Sequence, residues 1–140
     1  MFLDMTALNG SDCEAALMPD RPSVAVVDDD ESVRESLLEL LKVLGFTSRT
    51  FGSAEEFLAA SLIGETKCLL LDVSMPGMSG PQLQAELKRL DAKIPIIFIT
   101  AQANESLRIR LLEQGAVDCL LKPFSDTDLL DALNRALPPS

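Results

Sequence analysis

The sequence LLLDVSMPG occupies residues 69–77, so three leucines lead directly into an aspartate, Asp72, and a Pro-Gly turn follows. An unbroken apolar run that ends at a turn is typical of a strand buried on both faces, as in a parallel sheet. Asp72 would then lie at the carboxyl end of that strand. Because open α/β sheets bind their ligands at this edge, the position favours a functional role for the aspartate.

Four other segments are predicted to be strands, and three of them are mostly apolar runs, while the one at residues 46–51 is not. Segments with leucines at helical spacing separate the strands. Helix signals mark the alternation, such as the Ser53 capping pattern and the helix-ending Gly45. Strands that alternate with helices run parallel and are joined by right-handed helical crossovers. The sequence therefore predicts a doubly wound α/β domain around a five-stranded parallel sheet. The helix that Ser53 opens is expected to run to about Leu62. We place the strands at residues 23–27, 46–51, 68–72, 95–100 and 117–121.

The composition is that of one acidic globular domain. The chain has 140 residues and carries 22 acidic against 12 basic residues, for a net charge of -10. This charge disfavours nucleic-acid binding by the chain itself and suits basic partners or divalent cations, although solubility alone would also explain it. Three cysteines without any histidine argue against a zinc site or a disulfide framework and fit a cytoplasmic compartment. No apolar stretch approaches the roughly 20 residues of a membrane helix.

Residues 1–22 show no sustained hydrophobic period and contain Pro19 and Pro22. We expect a loose, flexible tail here, with at most one helical turn near residues 14–18. A docking arm or a vector remnant would have the same sequence character. The folded domain is therefore expected to begin at Ser23.

Polar side chains stand at the carboxyl ends of four predicted strands. If the first and third strands are neighbours, three of the carboxylates converge there. Clustered carboxylates repel one another unless a cation lies between them, and oxygen ligands of this kind suit Mg²⁺. The polar residues at the strand ends are Asp28, Asp29 and Asp30 after the first strand, Asp72 in the third, Thr100 in the fourth and Lys122 after the fifth.

This set of groups fits phosphoryl transfer to a carboxylate. Asp72 would be the nucleophile, Lys122 would add a fixed positive charge, and Thr100 would offer a hydroxyl to a phosphoryl oxygen. Such transfer depends on positioning and charge neutralisation more than on a general base, so the absence of histidine is no objection. Each residue also has a simpler interpretation, because Asp favours turns and helix caps and a lysine is readily solvated.

The joint pattern resembles the receiver domain of response regulators in two-component signalling. The resemblance covers residues 23–137. It implies a flavodoxin-like three-layer α/β/α fold with strand order 2-1-3-4-5, and a domain at residues 23–138. The motifs that carry it are VVDDD at 26–30, LDVSMPGMSG at 71–80, ITA at 99–101, GA at 115–116 and LKPF at 121–124.

The resemblance also implies a role for each residue of the set. Asp28 and Asp29 would be the acidic pair, with Asp29 the more direct ligand of Mg²⁺, while Asp30 would cap the next helix. The remaining roles are phosphoacceptor for Asp72, metal ligand through the backbone carbonyl for Ser74, switch hydroxyl for Thr100 and phosphate contact for Lys122.

One position departs from the family pattern. Many receivers carry Tyr or Phe three residues before the lysine, and this chain has Cys119 there. The phosphorylation chemistry does not need this ring, so a different route from site to output surface is implied. Ser74 and Gln102 resemble the positions that tune how fast the phosphoryl group is lost, and we expect them to act by positioning water.

The resemblance implies a signalling module that catalyses only its own phosphotransfer and dephosphorylation. A histidine kinase or histidine phosphotransfer protein would phosphorylate Asp72, and the fourth helix, fifth strand and last helix would shift in response. The fourth helix has more than one apolar face, so either one face meets a partner or both are covered within the domain. The chain would be either a stand-alone receiver whose output is a separate protein, or the N-terminal receiver of a DNA-binding regulator, because its motifs resemble the receivers of regulators with a helix-turn-helix output domain.

Two other classes of protein share parts of the pattern. A phosphohydrolase of the haloacid-dehalogenase type also uses a strand-end aspartate and Mg²⁺, but it carries a second acid two residues later, where this chain has Ser74. A flavodoxin-like electron carrier would have a Ser/Thr/Gly-rich loop after the first strand and aromatic residues against its flavin. Turnover of a phosphate ester would favour the hydrolase, and a yellow colour on purification would favour the flavin protein.

Overall fold

The computed structural model describes residues 23–137. Our expectations for residues 1–22 and for Pro138 lie outside the described residues. Within this range, no helix is both long enough and apolar enough to cross a bilayer. The strands are β1 (Ser23–Val27), β2 (Thr47–Phe51), β3 (Cys68–Asp72), β4 (Ile96–Thr100) and β5 (Asp118–Leu121). The helices are α1 (Glu31–Val43), α2 (Ala54–Ala59), α3 (Gly80–Arg89), α4 (Glu105–Glu113) and α5 (Asp126–Ala136), with a 3₁₀ turn at Ile63–Glu65.

The five strands form one parallel sheet in the order β2-β1-β3-β4-β5. This confirms the predicted doubly wound α/β fold and its strand order. In the register of the central strands, Val27 lies opposite Leu71, and Asp72 lies opposite Ile99. The carboxyl ends of β1, β3 and β4 therefore meet at the same edge of the sheet.

Helices cover both faces of the sheet and enclose two apolar clusters. Phe57, Leu83 and Leu111 bring α2, α3 and α4 onto one face. Leu41 and Leu133 bring α1 and α5 onto the other. Each of these side chains is at most 3% exposed, and burying one contributes about 1.5–3 kcal/mol. The three layers fix the position of every strand end at the site.

Side-chain caps set where the helices begin. Asp30 caps α1 as predicted, because its carboxylate accepts a hydrogen bond from the Ser32 amide at 2.9 Å. Ser53 caps α2 by accepting from the Glu56 amide at 3.1 Å. The Glu56 carboxylate accepts from the amide of Gly52, the residue before the cap, also at 3.1 Å. Both junctions between sheet and helix near the site are thus fixed by short local bonds.

The end of α2 differs from its prediction. The helix stops at Ala59 rather than near Leu62, and the 3₁₀ turn at Ile63–Glu65 follows. Ser61 adopts a left-handed backbone conformation with φ 59°, which breaks the helical path. The prediction was wrong here because apolar residues continue past the break and serve the turn instead of the helix.

Candidate functional site

The adjacency of β1 and β3 brings three carboxylates together at the carboxyl edge of the sheet. Asp28, Asp29 and Asp72 each offer an oxygen atom, and these atoms all lie within 4.8 Å of one another. Asp28 and Asp72 are buried, whereas Asp29 is exposed. This oxygen-only set, with one ligand open to solvent, fits the coordination that Mg²⁺ prefers. The convergence inferred from the sequence is therefore present.

Lys122 reaches the same site from beyond β5. Its Nζ lies 3.1 Å from Asp28 Oδ2, to which it donates a hydrogen bond, and 3.9 Å from Asp72 Oδ1. Its own amide donates to the carbonyl of Thr100 at 2.7 Å, which holds the lysine against the end of β4. The peptide bond that follows, between Lys122 and Pro123, is cis. One cation thus stands between two buried anions.

The environment of Asp72 raises the pKa of its carboxyl group to about 6. Burial is the main cause, and the neighbouring charge of Asp28 adds to it. Lys122 and the backbone amide of Ser74 act in the opposite direction because both favour the ionised form. At pH 7 the ionised form of the Asp72 carboxyl group predominates. Asp72 is therefore available as a nucleophile at neutral pH, although it is buried among like charges.

Two hydrogen bonds fix the acidic loop after β1. The amide of Asp30 donates to Asp28 Oδ1 at 2.9 Å, and the guanidinium of Arg34 donates to the Asp28 carbonyl at 2.7 Å. Arg34 is half-buried on α1, and its role is not evident from the sequence. Its signal in the sequence is a basic residue near the start of a helix, where the helix dipole favours acids. Arg34 restrains the loop that carries two of the three carboxylates.

Thr100 ends β4 beside the site and is buried. The described hydrogen bonds of its hydroxyl go to Gln102. The hydroxyl accepts from the Gln102 amide at 3.1 Å and lies 3.4 Å from the Gln102 carbonyl. The structure thus places the predicted switch hydroxyl at the rim of the site, bonded to its own loop.

The loop after Asp72 is anchored at both ends. The amide of Val73 donates to the Ile99 carbonyl at 3.0 Å, and the Gly80 amide donates back to the Val73 carbonyl at 3.0 Å. A Cβ at Gly80 would lie 2.4 Å from the backbone oxygen of Asp72, so only glycine fits where α3 begins. Ser74, the predicted carbonyl ligand, is an exposed residue of this loop.

Cys119 lies on β5, beside a cleft of about 310 Å³ between β5 and α4. Thr100 and Arg108 also line this cleft. The Cys119 side chain is half-buried, and burial raises the pKa of its thiol. Where many receivers carry an aromatic ring, this chain therefore has a small side chain and open space beside the threonine.

On α4, Leu111 is buried while Ile109 is 47% exposed. Among the described residues, the face of α4 that carries Leu111 is therefore covered, whereas Ile109 lies at the surface on a different face. Leu121 on the adjacent strand β5 is also exposed, at 46%.

Known proteins match most of the chain. The family model of the response regulator receiver domain matches residues 24–134. Nodulation protein W of Bradyrhizobium diazoefficiens is 48% identical over 113 residues, which are 81% of this chain and 50% of that protein. Response regulator protein TodT of Pseudomonas putida is 41% identical over 128 residues, 89% of this chain and 56% of that protein. The chain thus spans about half the length of the curated relatives it matches.

Solved structures give the same match in three dimensions. The crystal structure of FixJ-N has a TM-score of 0.75 and 38% identity, and the match covers 84% of this chain and 94% of that one. Response regulator StyR has a TM-score of 0.78 and 45% identity, covering 84% of this chain and 59% of that one. Chemotaxis protein CheY4 of Vibrio cholerae has a TM-score of 0.76 and 27% identity, and the match covers 84% of this chain and 99% of that one.

Proposed function

The chain belongs to the response regulator receiver domain family of two-component signalling, and on that premise we propose that it is a phosphorylation-dependent switch whose phosphoryl acceptor is Asp72. One observation carries the proposal. Two other carboxylates and one lysine surround the buried carboxylate of Asp72, and its ionised form predominates at neutral pH. A structural aspartate at a strand end would not require this arrangement of charge.

The donor set fits Mg²⁺, and the ion would be held by the three carboxylates and by the backbone carbonyl of Ser74. When bound, Mg²⁺ neutralises charge on the phosphoryl oxygens and offsets the repulsion among the carboxylates. Asp29 is the exposed member of the set, so its carboxylate would hold the ion on the side that faces solvent.

The protein's own residues then account for the transfer. An oxygen of Asp72 attacks the phosphorus atom and forms the P–O bond of an acyl phosphate, while the bond from phosphorus to the donor histidine nitrogen breaks and that nitrogen keeps the electron pair. Lys122 supplies positive charge beside the acceptor oxygen. The Thr100 hydroxyl would leave Gln102 and bond to a phosphoryl oxygen, which couples phosphorylation to the loop before α4.

We further propose a histidine kinase or a histidine phosphotransfer protein as donor, because the chain belongs to the receiver family of two-component signalling. The output would be a partner protein or a further domain. Residues 23–138 would form the receiver, and residues 1–22 would lie outside it. Ser74 and Gln102, which flank the acceptor, would set the phosphoryl lifetime by positioning water. Exchange of either side chain should then change the rate of autodephosphorylation.

The test is the intact mass of the protein after incubation with acetyl phosphate and Mg²⁺. We expect the parent protein to gain one phosphoryl group, and Asp72→Asn, or the parent in EDTA, to gain none. Asp131→Asn is a matched control because it removes an exposed carboxylate on α5, and it should gain the group like the parent. A folded parent that gains no mass would contradict the proposal.

A further inference from the structure

A single carboxylate ties the loop after β3 to helix α2. Glu55 Oε2 accepts a hydrogen bond at 3.0 Å from the backbone amide of Met78, which lies 23 residues further along the chain. We propose that Glu55 is a positioning residue for the phosphorylation site, holding this loop in the shape in which Ser74 can serve the metal. The inference rests on the proposed function and adds a residue that acts through the loop.

The bonding of the loop amides shows why this tie matters. Two of the three consecutive amides at residues 78–80 bond within the loop and α3. Ser79 donates to the Gln82 side chain at 2.8 Å, and Gly80 donates to the Val73 carbonyl at 3.0 Å. The amide of Met78 instead donates to the Glu55 carboxylate on α2. It is therefore the one of the three that fixes the loop relative to a different helix.

Gly77 makes room for the same carboxylate. Its backbone has φ +74°, in the left-handed region that favours glycine. A Cβ at this position would lie 2.8 Å from Glu55 Oε2, closer than real Cβ atoms approach other atoms. The turn therefore favours glycine, and a larger residue here would push the Glu55 carboxylate away from the loop. The absence of a side chain at Gly77 thus leaves space for the Glu55 carboxylate beside the loop after β3.

The tie lies close to the reacting group along the chain. Ser74 is four residues before Met78, and its backbone amide lowers the pKa of the Asp72 carboxyl group. Pro76 lies between them and has no amide hydrogen to offer. Loss of the bond to Met78 would allow this stretch to move, and the Ser74 carbonyl would no longer be held towards the metal.

Two substitutions separate the hydrogen bond from the charge. Glu55→Ala removes both, whereas Glu55→Gln removes the same charge and keeps an oxygen that accepts a hydrogen bond. Glu39→Ala is the matched control, because Glu39 is an exposed acid on α1 with no hydrogen bond or ion pair among the described residues. All three variants reduce the negative charge of the protein by one.

The first measurement is the hydrogen exchange of the Met78 amide, followed by NMR in unphosphorylated protein. The second is Mg²⁺ affinity, measured by calorimetry without phosphodonor and as the half-saturating Mg²⁺ concentration for phosphorylation by acetyl phosphate. In Glu55→Ala we expect Met78 exchange to rise and Mg²⁺ affinity to fall, each by about fivefold, with the saturating rate within about twofold of the parent. Glu55→Gln and Glu39→Ala should stay within about twofold of the parent in both Met78 exchange and Mg²⁺ affinity.

Two results would overturn the inference. One is unchanged Mg²⁺ affinity in Glu55→Ala although Met78 exchange has risen. The other is a Glu55→Gln variant that fails as Glu55→Ala does, because charge rather than the hydrogen bond would then be responsible. If the parent protein binds Mg²⁺ but accepts no phosphoryl group, the proposed function fails, while exchange and calorimetry still decide the role of Glu55.

Discussion

At the scale of single residues, Asp72 combines two opposing demands. A nucleophile must be ionised and close to its substrate, and this carboxyl group is buried beside Asp28 and Asp29. Burial and these neighbouring charges raise its pKa to about 6, and only the partial compensation from Lys122 and a backbone amide keeps it ionised at neutral pH. Such a group lowers the stability of the fold in return for reactivity.

This cost gives a prediction for stability against pH. The folded pKa of Asp72 lies above its unfolded value of 3.8, so the folded state binds the proton more tightly. The stability that this proton supplies is full below about pH 4 and is lost as pH rises through about 6. Asp72→Asn has no such loss. In metal-free buffer we expect its free energy of unfolding to exceed that of the parent by about 1–2 kcal/mol at pH 7.5, and the difference to shrink towards pH 4.

Urea unfolding between pH 4 and pH 7.5, in EDTA, measures this difference. Asp131→Asn, on the exposed face of α5, is the control and should show a difference that does not depend on pH. A gap between Asp72→Asn and the parent that stays constant over this range would show that the environment of Asp72 does not disfavour its charge.

The sequence predicts the meeting of the carboxylates but not the residues that hold them. Asp28 and Asp72 each follow an apolar strand, so a parallel sheet places them at one edge whatever the details of packing. Arg34 and Glu55 act from helices, and their partners depend on how each helix turns its side chains towards the loops. The sequence does not indicate the role of Glu55, because an acidic residue in the first turn of a helix is common.

At the scale of elements, the start of α3 is packed against the end of β3. Gly80→Ala gains helix propensity of about 1 kcal/mol, but its Cβ would lie 2.4 Å from the Asp72 backbone oxygen. The clash outweighs the propensity, so we expect a net loss of about 2–3 kcal/mol in the free energy of unfolding. Gly64→Ala is the control, because its Cβ would meet nothing within 4 Å, and it should change stability by less than about 0.5 kcal/mol. A Gly80→Ala protein as stable as the parent would contradict this packing.

Asp118 joins α4, β5 and α5. Its carboxylate lies 3.6 Å from the guanidinium of Arg108, bonds to that of Arg135 and accepts the Cys119 amide at 2.7 Å. The side chain of Asp118 is only 14% exposed, whereas that of Arg135 is 53% exposed, so solvent screens this pair less than a pair with two exposed side chains. This ionic link connects the elements that flank Cys119.

We expect a double-mutant cycle of Asp118→Ala and Arg135→Ala to give a coupling energy of about 1 kcal/mol. The matched pair is Asp91 and Lys93, which are 3.7 Å apart with side chains 88% and 83% exposed, and its coupling should be near zero. Equal coupling in the two pairs, measured by urea unfolding, would remove the case for a link at Asp118.

Element boundaries show where sequence reasoning succeeds and where it fails. The three central strands β1, β3 and β4 follow the apolar runs closely, since a strand buried on both faces must be apolar. The early end of α2 was missed because Ser61 breaks the helix with a left-handed backbone, which serine rarely adopts. The apolar pattern alone does not reveal such a break.

At the scale of the whole molecule, the two apolar clusters lie on opposite faces of one sheet and share its strands. Because both clusters pack on β3 and β4, unfolding of these strands would disrupt both clusters together. We therefore expect a protein of residues 23–138 to unfold in a single transition, with a midpoint in urea close to that of the full chain. Separate transitions by circular dichroism and by NMR, or a clearly lower midpoint, would count against residues 23–138 as the domain.

The central claim is that Asp72 carries the phosphoryl group, and chemical trapping tests it most directly. Borohydride reduces an aspartyl phosphate to homoserine, which peptide mass spectrometry locates in the sequence. After treatment with acetyl phosphate and Mg²⁺, we predict homoserine at position 72 and none in the EDTA control. Homoserine at Asp28 or Asp29 instead, or phosphorylated protein without homoserine at position 72, would contradict the account.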